Sequence, residues 1–263
     1  METKLVETMF ERMGARVKFR PAIRGHRAAG IDIRSDRRGE YFDISVGPND
    51  QVEYQVVDIR PQLRHLLLMA RRDNGKQKFL CGHDERHWFV CAVPGDSVAN
   101  VSKAMEALQP AEVRHAVSRK VKRVKNRLRR HNEAFVRQGE WFFMPVPDLN
   151  IDPKLILKNE PLSRGGGSKA HMCQFAYRSG GELVYVCRQH PNGLTKGQYS
   201  QVLRANSKAK TWDWRPMRRN AAVYVRGRVW HADHKTVVLN VWHRVSMNTE
   251  FLAPGARNVV FLD

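Results

Sequence analysis

The apolar positions of this chain change period several times, and each change marks a structural boundary. Leu5, Val6, Met9, Phe10 and Met13 recur at helical spacing and Gly14 follows them, which predicts an N-terminal helix. From Arg16 to Pro94 the pattern becomes that of strands. The segments ARVKFR, IDIRS, YFDISV, VEYQVVDIR, LRHLLLMA, KFLCG and HWFVCAV are short and rich in β-formers. Turn sequences such as SDRRGE, GPND and RRDNGKQ separate them, and Asn74-Gly75 is a strong hairpin signal. No helical crossover interrupts the series, so an antiparallel meander is expected and a doubly wound sheet is excluded.

Helical spacing returns after Pro94. Asp96 or Ser97 can cap a helix reaching Leu108, and Pro110 opens a second one over 111–131. QGEWFFMPVP restores strand character, the glycine-rich NEPLSRGGGSKAH is the best candidate for a linker or mobile loop, and 146–169 is the expected linker between lobes. Beyond it, HMCQFAYRS and ELVYVCRQ read as strands joined by Gly180-Gly181. A helix capped by Thr195 and Gln198 follows, then the strands AAVYVRGRVW, KTVVLNVWHRV and NVVFL. The expected fold is α+β. An N-terminal lobe, 1–145, carries the antiparallel β-meander and a central helical block with a basic amphipathic helix, and 170–263 forms a second mixed, β-rich lobe.

Charge changes the picture most. The 46 Lys+Arg residues outnumber 26 Asp+Glu, for a net charge of +20, which points to a polyanionic partner. Nucleic acid fits better than an anionic membrane surface. No apolar run approaches the ~18 residues of a membrane span, so no transmembrane segment is expected. METKLVETMFERMG carries acids where an export signal would be apolar. The four cysteines lack close C-x-x-C pairing and suit reduced thiols, so a cytoplasmic location is expected.

The densest charge lies between Glu112 and Glu133, where no acid occurs. Arg114, Arg119, Lys120, Lys122, Arg123, Lys125, Arg127, Arg129 and Arg130 fill that stretch. Val113, Val117, Val121, Val124 and Leu128 recur every three or four residues, giving a continuous helix one apolar stripe for docking and a cationic remainder. Like charges four residues apart repel by about 0.2–0.5 kcal/mol per pair, and phosphates against them would reverse the sign. WDWRPMRRN interleaves Trp212 and Trp214 with Arg215, Arg218 and Arg219, the mixture that stacks bases and contacts backbone on single strands. Arg20, Arg24 and Arg27 add an acid-free loop. SRGGGSK offers a backbone nest but lacks P-loop spacing.

Three histidine-rich segments are candidates for chemistry. In FLCGHDERHWFVC, residues 79–91, His83 and His87 are four apart, but the surroundings read as strand, which excludes the helical H-E-x-x-H arrangement. A hairpin tip centred on Glu85 would set His83 across from His87 and put Cys81, His83 and His87 on one face, a candidate site for zinc or another divalent metal. His231, Asp233 and His234 stand at the turn between two strands, positioned for general acid–base work or metal-assisted attack on a phosphodiester. His171, Cys173, Cys187 and His190 form a third candidate cluster across the hairpin around Gly180-Gly181.

No Ser-His-Asp triad, nucleophile elbow, dinucleotide fingerprint or kinase motif set is present. The reading that follows is a nucleic-acid-binding protein, RNA favoured over DNA, within a ribonucleoprotein or a mobile-element or phage-related complex. The alternatives are a metal-dependent nuclease or RNA-processing hydrolase using His231, Asp233 and His234, with His83 and His87 as further candidates, and a structural component of a larger assembly.

Overall fold

The structure, a computed structural model, describes residues 3–21, 30–46, 52–72, 75–95, 97–163 and 169–252. It confirms the α+β class. The chain divides into two compact units, one running to Ala134 and taking up the chain again at Met247, the other spanning Phe135–Ser246. The division falls at residue 134, ahead of the glycine-rich stretch expected to form it. Residues within 146–169 instead supply a strand to the second unit's largest sheet.

The first unit opens with α1 (Thr3–Arg12), closed by Gly14 at φ 82° as its position after the apolar stripe predicts. β1 (Val17–Pro21), β2 (Ile31–Asp36) and β3 (Gly39–Val46) form one sheet, and β4 (Glu53–Arg60), β5 (His65–Arg72), β6 (Gly75–Asp84) and β7 (His87–Val93) form a second. The second sheet is the expected antiparallel meander. The first departs from it, because β1 pairs with β3 in parallel and β2 returns antiparallel on the other side. The unbroken apolar run of β5 is buried on both faces. Leu66, Leu68 and Ala70 pack with Phe10, Phe42 and Ile44, while Leu67 packs with Leu80, Val93, Val101 and Leu108.

The helical block holds the largest difference from expectation. α2 (Val101–Ala107) starts later than predicted and is capped by Asn100, whose side chain accepts from the Lys103 amide. α3 spans only Ala111–Lys120. Val113, Val117 and Val121 bury the expected stripe, but Val121 is already extended, with φ −97° and ψ 96°, and Val124 is 74% exposed. A continued helix would stack Arg119 over Arg123 and Lys125 over Arg129. Tertiary contacts outweigh local propensity here. Asn132 donates to the carbonyl of Asn126 at 3.2 Å, and Arg130 forms ion pairs with Asp84 and, at 2.8 Å, with Glu85.

Arg130 therefore clamps the tip of the β6–β7 hairpin instead of facing solvent. Asp84 is 7% exposed, so removing its cation leaves a desolvated carboxylate short of a partner. Arg130→Ala is expected to destabilise the protein by about 1–3 kcal/mol, read as a lower midpoint in urea at unchanged slope. An unchanged midpoint would show that the clamp contributes nothing.

The second unit is built from β8 (Val136–Gln138), β9 (Trp141–Pro145), β10 (Leu157–Leu162), β11 (His171–Ser179), β12 (Glu182–Cys187), β13 (His190–Thr195), α4 (Lys196–Ala205), β14 (Arg215–Arg219), β15 (Ala222–Trp230) and β16 (Val237–Met247). Six strands line up in the order β10-β11-β15-β16-β9-β8, and β13-β12-β14 form a separate sheet. β11 and β12 are thus not paired across Gly180-Gly181. Each finds its partners in a different sheet, and the cluster expected from His171, Cys173, Cys187 and His190 is split. No disulfide joins the four cysteines, and burial pushes the Cys173 thiol up to about 12. Among the described residues no helix is long and apolar enough to cross a membrane.

Candidate metal centre and aromatic face

The hairpin of FLCGHDERHWFVC forms as expected, but one half-step out of the expected register. Asp84 pairs with His87 and His83 with Trp88, so the turn is Glu85-Arg86. Strand alternation then puts Cys81 and His83 on one face and His87 on the other. Cys81 is fully buried in the core. His83 lies edge-on to Trp88 at 4.9 Å, and His87 Nδ1 meets Glu40 Oε1 at 2.8 Å. The three candidate ligands do not converge.

Convergence occurs in the second unit. β11 pairs with β15 so that Met172 faces Trp230, and the same register one step further sets His171 opposite His231. His234 follows in the turn before β16. Ligand nitrogens of His171, His231 and His234 all lie within 4.8 Å of one another. The His171 ring stacks on His231 at 4.2 Å and on His234 at 5.3 Å, with His231 and His234 4.9 Å apart.

The surroundings hold these rings in place. His171 is 1% exposed, and neither of its nitrogens has a hydrogen-bond partner. Burial, followed by the neighbouring imidazoles of His231 and His234, pushes His171 down to about 3, so its ring is neutral at physiological pH. The amide of Asp233 donates to His231 Nδ1 at 3.1 Å. Gln138, itself buried, donates to the carbonyls of Val229 and Lys235 at 3.2 and 2.7 Å, pinning both ends of the histidine turn to β8. Gly139 stands beside the rings. A Cβ there would sit 2.8 Å from His234 Nε2 and 3.4 Å from His171 Nε2.

Of the expected trio His231, Asp233 and His234, the two histidines converge and the aspartate does not join them. Asp233 is held by Lys169 Nζ at 3.0 Å to both carboxylate oxygens. His171 takes the third place. Nothing local in the sequence couples it to His231, since sixty residues and a strand register lie between them. Three imidazoles can together hold a late first-row metal ion and leave a coordination position open.

The same unit also carries a cluster of half-buried aromatic rings. Trp212 and Trp214 are half-buried, not core. Trp214 stacks on His190 at 5.7 Å with an interplanar angle of 10° and meets Tyr199 edge-on at 4.9 Å. Tyr199 stacks on Tyr185 at 4.2 Å, and Trp212 lies 5.8 Å from both His190 and Trp214. The Trp214 indole donates to the Ala209 carbonyl at 2.8 Å, which fixes its orientation. Lys208 and Lys210 flank Ala209 and are exposed, as are Lys196 at the start of α4 and Arg188 in the turn before His190.

The arginines expected in this region are partly engaged. Arg215 pairs with Asp213 at 2.8 Å in an exposed contact of little strength. Arg219 pairs with Glu182 at 2.6 Å, and Arg218 donates to the Gly180 carbonyl at 3.2 Å. In the first unit Arg119, Lys120, Lys122, Arg123, Lys125 and Arg129 remain exposed despite the short helix, and Arg127 is half-buried. Arg114, also exposed, donates to the Gln109 carbonyl at 2.9 Å. Arg20 is bound in a bidentate pair with the buried Asp43, which Arg34 also contacts. Arg24, Arg27 and most of SRGGGSK lie outside the described residues.

No family model matches the chain, and comparison with curated proteins and with solved structures finds no match.

Proposed function

We propose that the protein binds nucleic acid, single-stranded RNA in preference to duplex DNA, through the aromatic face of its second unit. The observation that supports this is the half-exposed array of Tyr185, His190, Tyr199, Trp212 and Trp214 beside exposed lysines. Bases present a π-face to such rings whatever their identity, and lysines beside them meet the phosphates between successive bases. Trp214 is oriented in advance by its bond to Ala209, so little ordering is lost on binding. The exposed cations at 119–129 add phosphate contacts in the first unit.

The test is fluorescence anisotropy of a labelled single-stranded RNA with the full chain across a salt series. Phosphate contacts from Arg188, Lys196, Lys208 and Lys210 alone predict a slope of log affinity against log salt of about −3, at ~0.7 per contact on a single strand. Lys208→Glu with Lys210→Glu should flatten it by about 1.4. Salt-independent binding, or equal affinity for duplex DNA, would remove the proposal.

The converging histidines favour a second reading, in which the bound strand is also cut with the help of a divalent metal. Zinc-stimulated cleavage of labelled RNA, lost in His231→Ala and His234→Ala, is its expected result. Intact RNA under those conditions leaves a binding protein only.

A further inference from the structure

We propose that His171, His231 and His234 bind one divalent late transition-metal ion, zinc in the first instance, through three imidazole nitrogens. His171 is the buried member of the three. A polar ring in the core normally has both nitrogens satisfied, and each orphan carries its full desolvation cost. This ring has two orphans and, as its nearest aromatic company, two more imidazoles and the edge of Trp141 at 6.3 Å. The Trp141 indole can only donate. A cation accepts a nitrogen lone pair from each of three converging rings at once.

The distances suit an ion after a small closure. Tetrahedral zinc at ~2.0–2.1 Å from nitrogen needs donors about 3.4 Å apart. The three ligand atoms already lie within 4.8 Å of one another, and on binding the stacked rings turn their lone pairs toward a common point as the donors close in. The backbone leaves room for it. Gly139, at φ 57°, places no side chain against His234 and His171, and any Cβ there would press on His234 Nε2. Gln138 ties both ends of the 229–235 segment to β8, which fixes the backbone that carries His231 and His234.

The donor set selects the metal. Three imidazole nitrogens, with no thiolate among them, suit zinc, copper, nickel and cobalt and do not suit calcium or magnesium. Three protein ligands leave a fourth position for water or another small ligand, which distinguishes this arrangement from a closed structural site. One local contact is exchanged on binding. While His231 Nδ1 accepts from the Asp233 amide, the ring proton sits on Nε2. Ligation through Nε2 moves that proton to Nδ1 and gives up this one contact in return for a metal–nitrogen bond.

The full chain, carrying no polyhistidine tag and stripped with a chelator, is dialysed against zinc and its metal content measured. Cobalt(II) then serves as a spectroscopic probe. One equivalent per chain and the visible bands of four-coordinate cobalt are expected. His234→Ala and His231→Ala should weaken zinc binding at least a hundredfold. His171→Ala opens a hole in the core, so His171→Phe, which fills the site with a somewhat larger ring, is used instead. This variant should melt at or above the temperature of the metal-free parent, because the orphaned nitrogens are gone, and zinc should no longer raise its midpoint. His87→Ala should keep the equivalent. Absence of stoichiometric uptake by the parent, zinc stabilisation of His171→Phe equal to the parent's, or loss of metal in His87→Ala would each overturn the assignment. Metal uptake is read without nucleic acid, so its failure is distinguishable from failure of RNA binding.

Discussion

Replacing Trp212 and Trp214 together by alanine is expected to lower affinity for a short single-stranded RNA at least ~30-fold. Each base lost from an aromatic platform costs about 1–3 kcal/mol, and every 1.4 kcal/mol is tenfold in affinity. The two indoles are separable in role. Trp214 is built into the array through Ala209, His190 and Tyr199, while among the rings of the described residues Trp212 touches His190 and Trp214. Trp212→Ala alone should therefore weaken binding with little change in melting temperature, whereas Trp214→Ala should lower both. Trp212→Phe, which keeps a π-face, should recover most of the loss. Anisotropy titrations beside thermal melts check this, and parental affinity in a folded double variant would rule out a stacking role.

Gly139→Val is the second large effect, and it acts on the histidine centre. A β-branched residue at φ 57° is strained, at a cost of about 1–2 kcal/mol. Its Cβ would also meet His234 Nε2 at 2.8 Å, closer than a van der Waals contact allows. Zinc affinity should fall about a hundredfold or more as His234 is displaced. Gly139→Asn divides the two causes, because asparagine tolerates the left-handed region yet carries the same Cβ. It should melt near the parent and still bind zinc poorly. Zinc titration with a thermal melt reads both quantities, and parental zinc affinity in Gly139→Val would show that the rings do not need the space.

Much of the secondary structure is legible in the pattern because it depends on near neighbours. The helical stripe ending in Gly14 forms where spacing puts it, and the hairpin of FLCGHDERHWFVC forms with its turn half a step on. The continuous apolar run of β5 is buried on both sides, as such runs require. The basic helix is legible only to Lys120. Its valine stripe continues past that point, but helix spacing is a permissive signal that tertiary contacts override. Past Lys120 the chain leaves the helix, and Arg130 is engaged with Asp84 and Glu85 instead.

The candidate chemistry divides the same way. Composition identifies histidines 83, 87, 171, 231 and 234 as metal-capable, and the WDWR segment as suited to stacking. It cannot say which of them meet. The hairpin turn at Glu85-Arg86 shifts the pairing by half a step, and in a strand that sends His87 to the opposite face. Pairing of β11 with β15, strands some fifty residues apart, brings His171 to His231 and takes it away from Cys187 and His190.

By itself, then, the sequence determined the charge of +20, the α+β class and the local elements, because these follow from residue types and their spacing. Only the tertiary structure decided which histidines converge, which arginines remain exposed and where the chain divides. Those depend on strand register and on ion pairs between distant residues. A single residue of register moves a side chain across the sheet without changing any local preference.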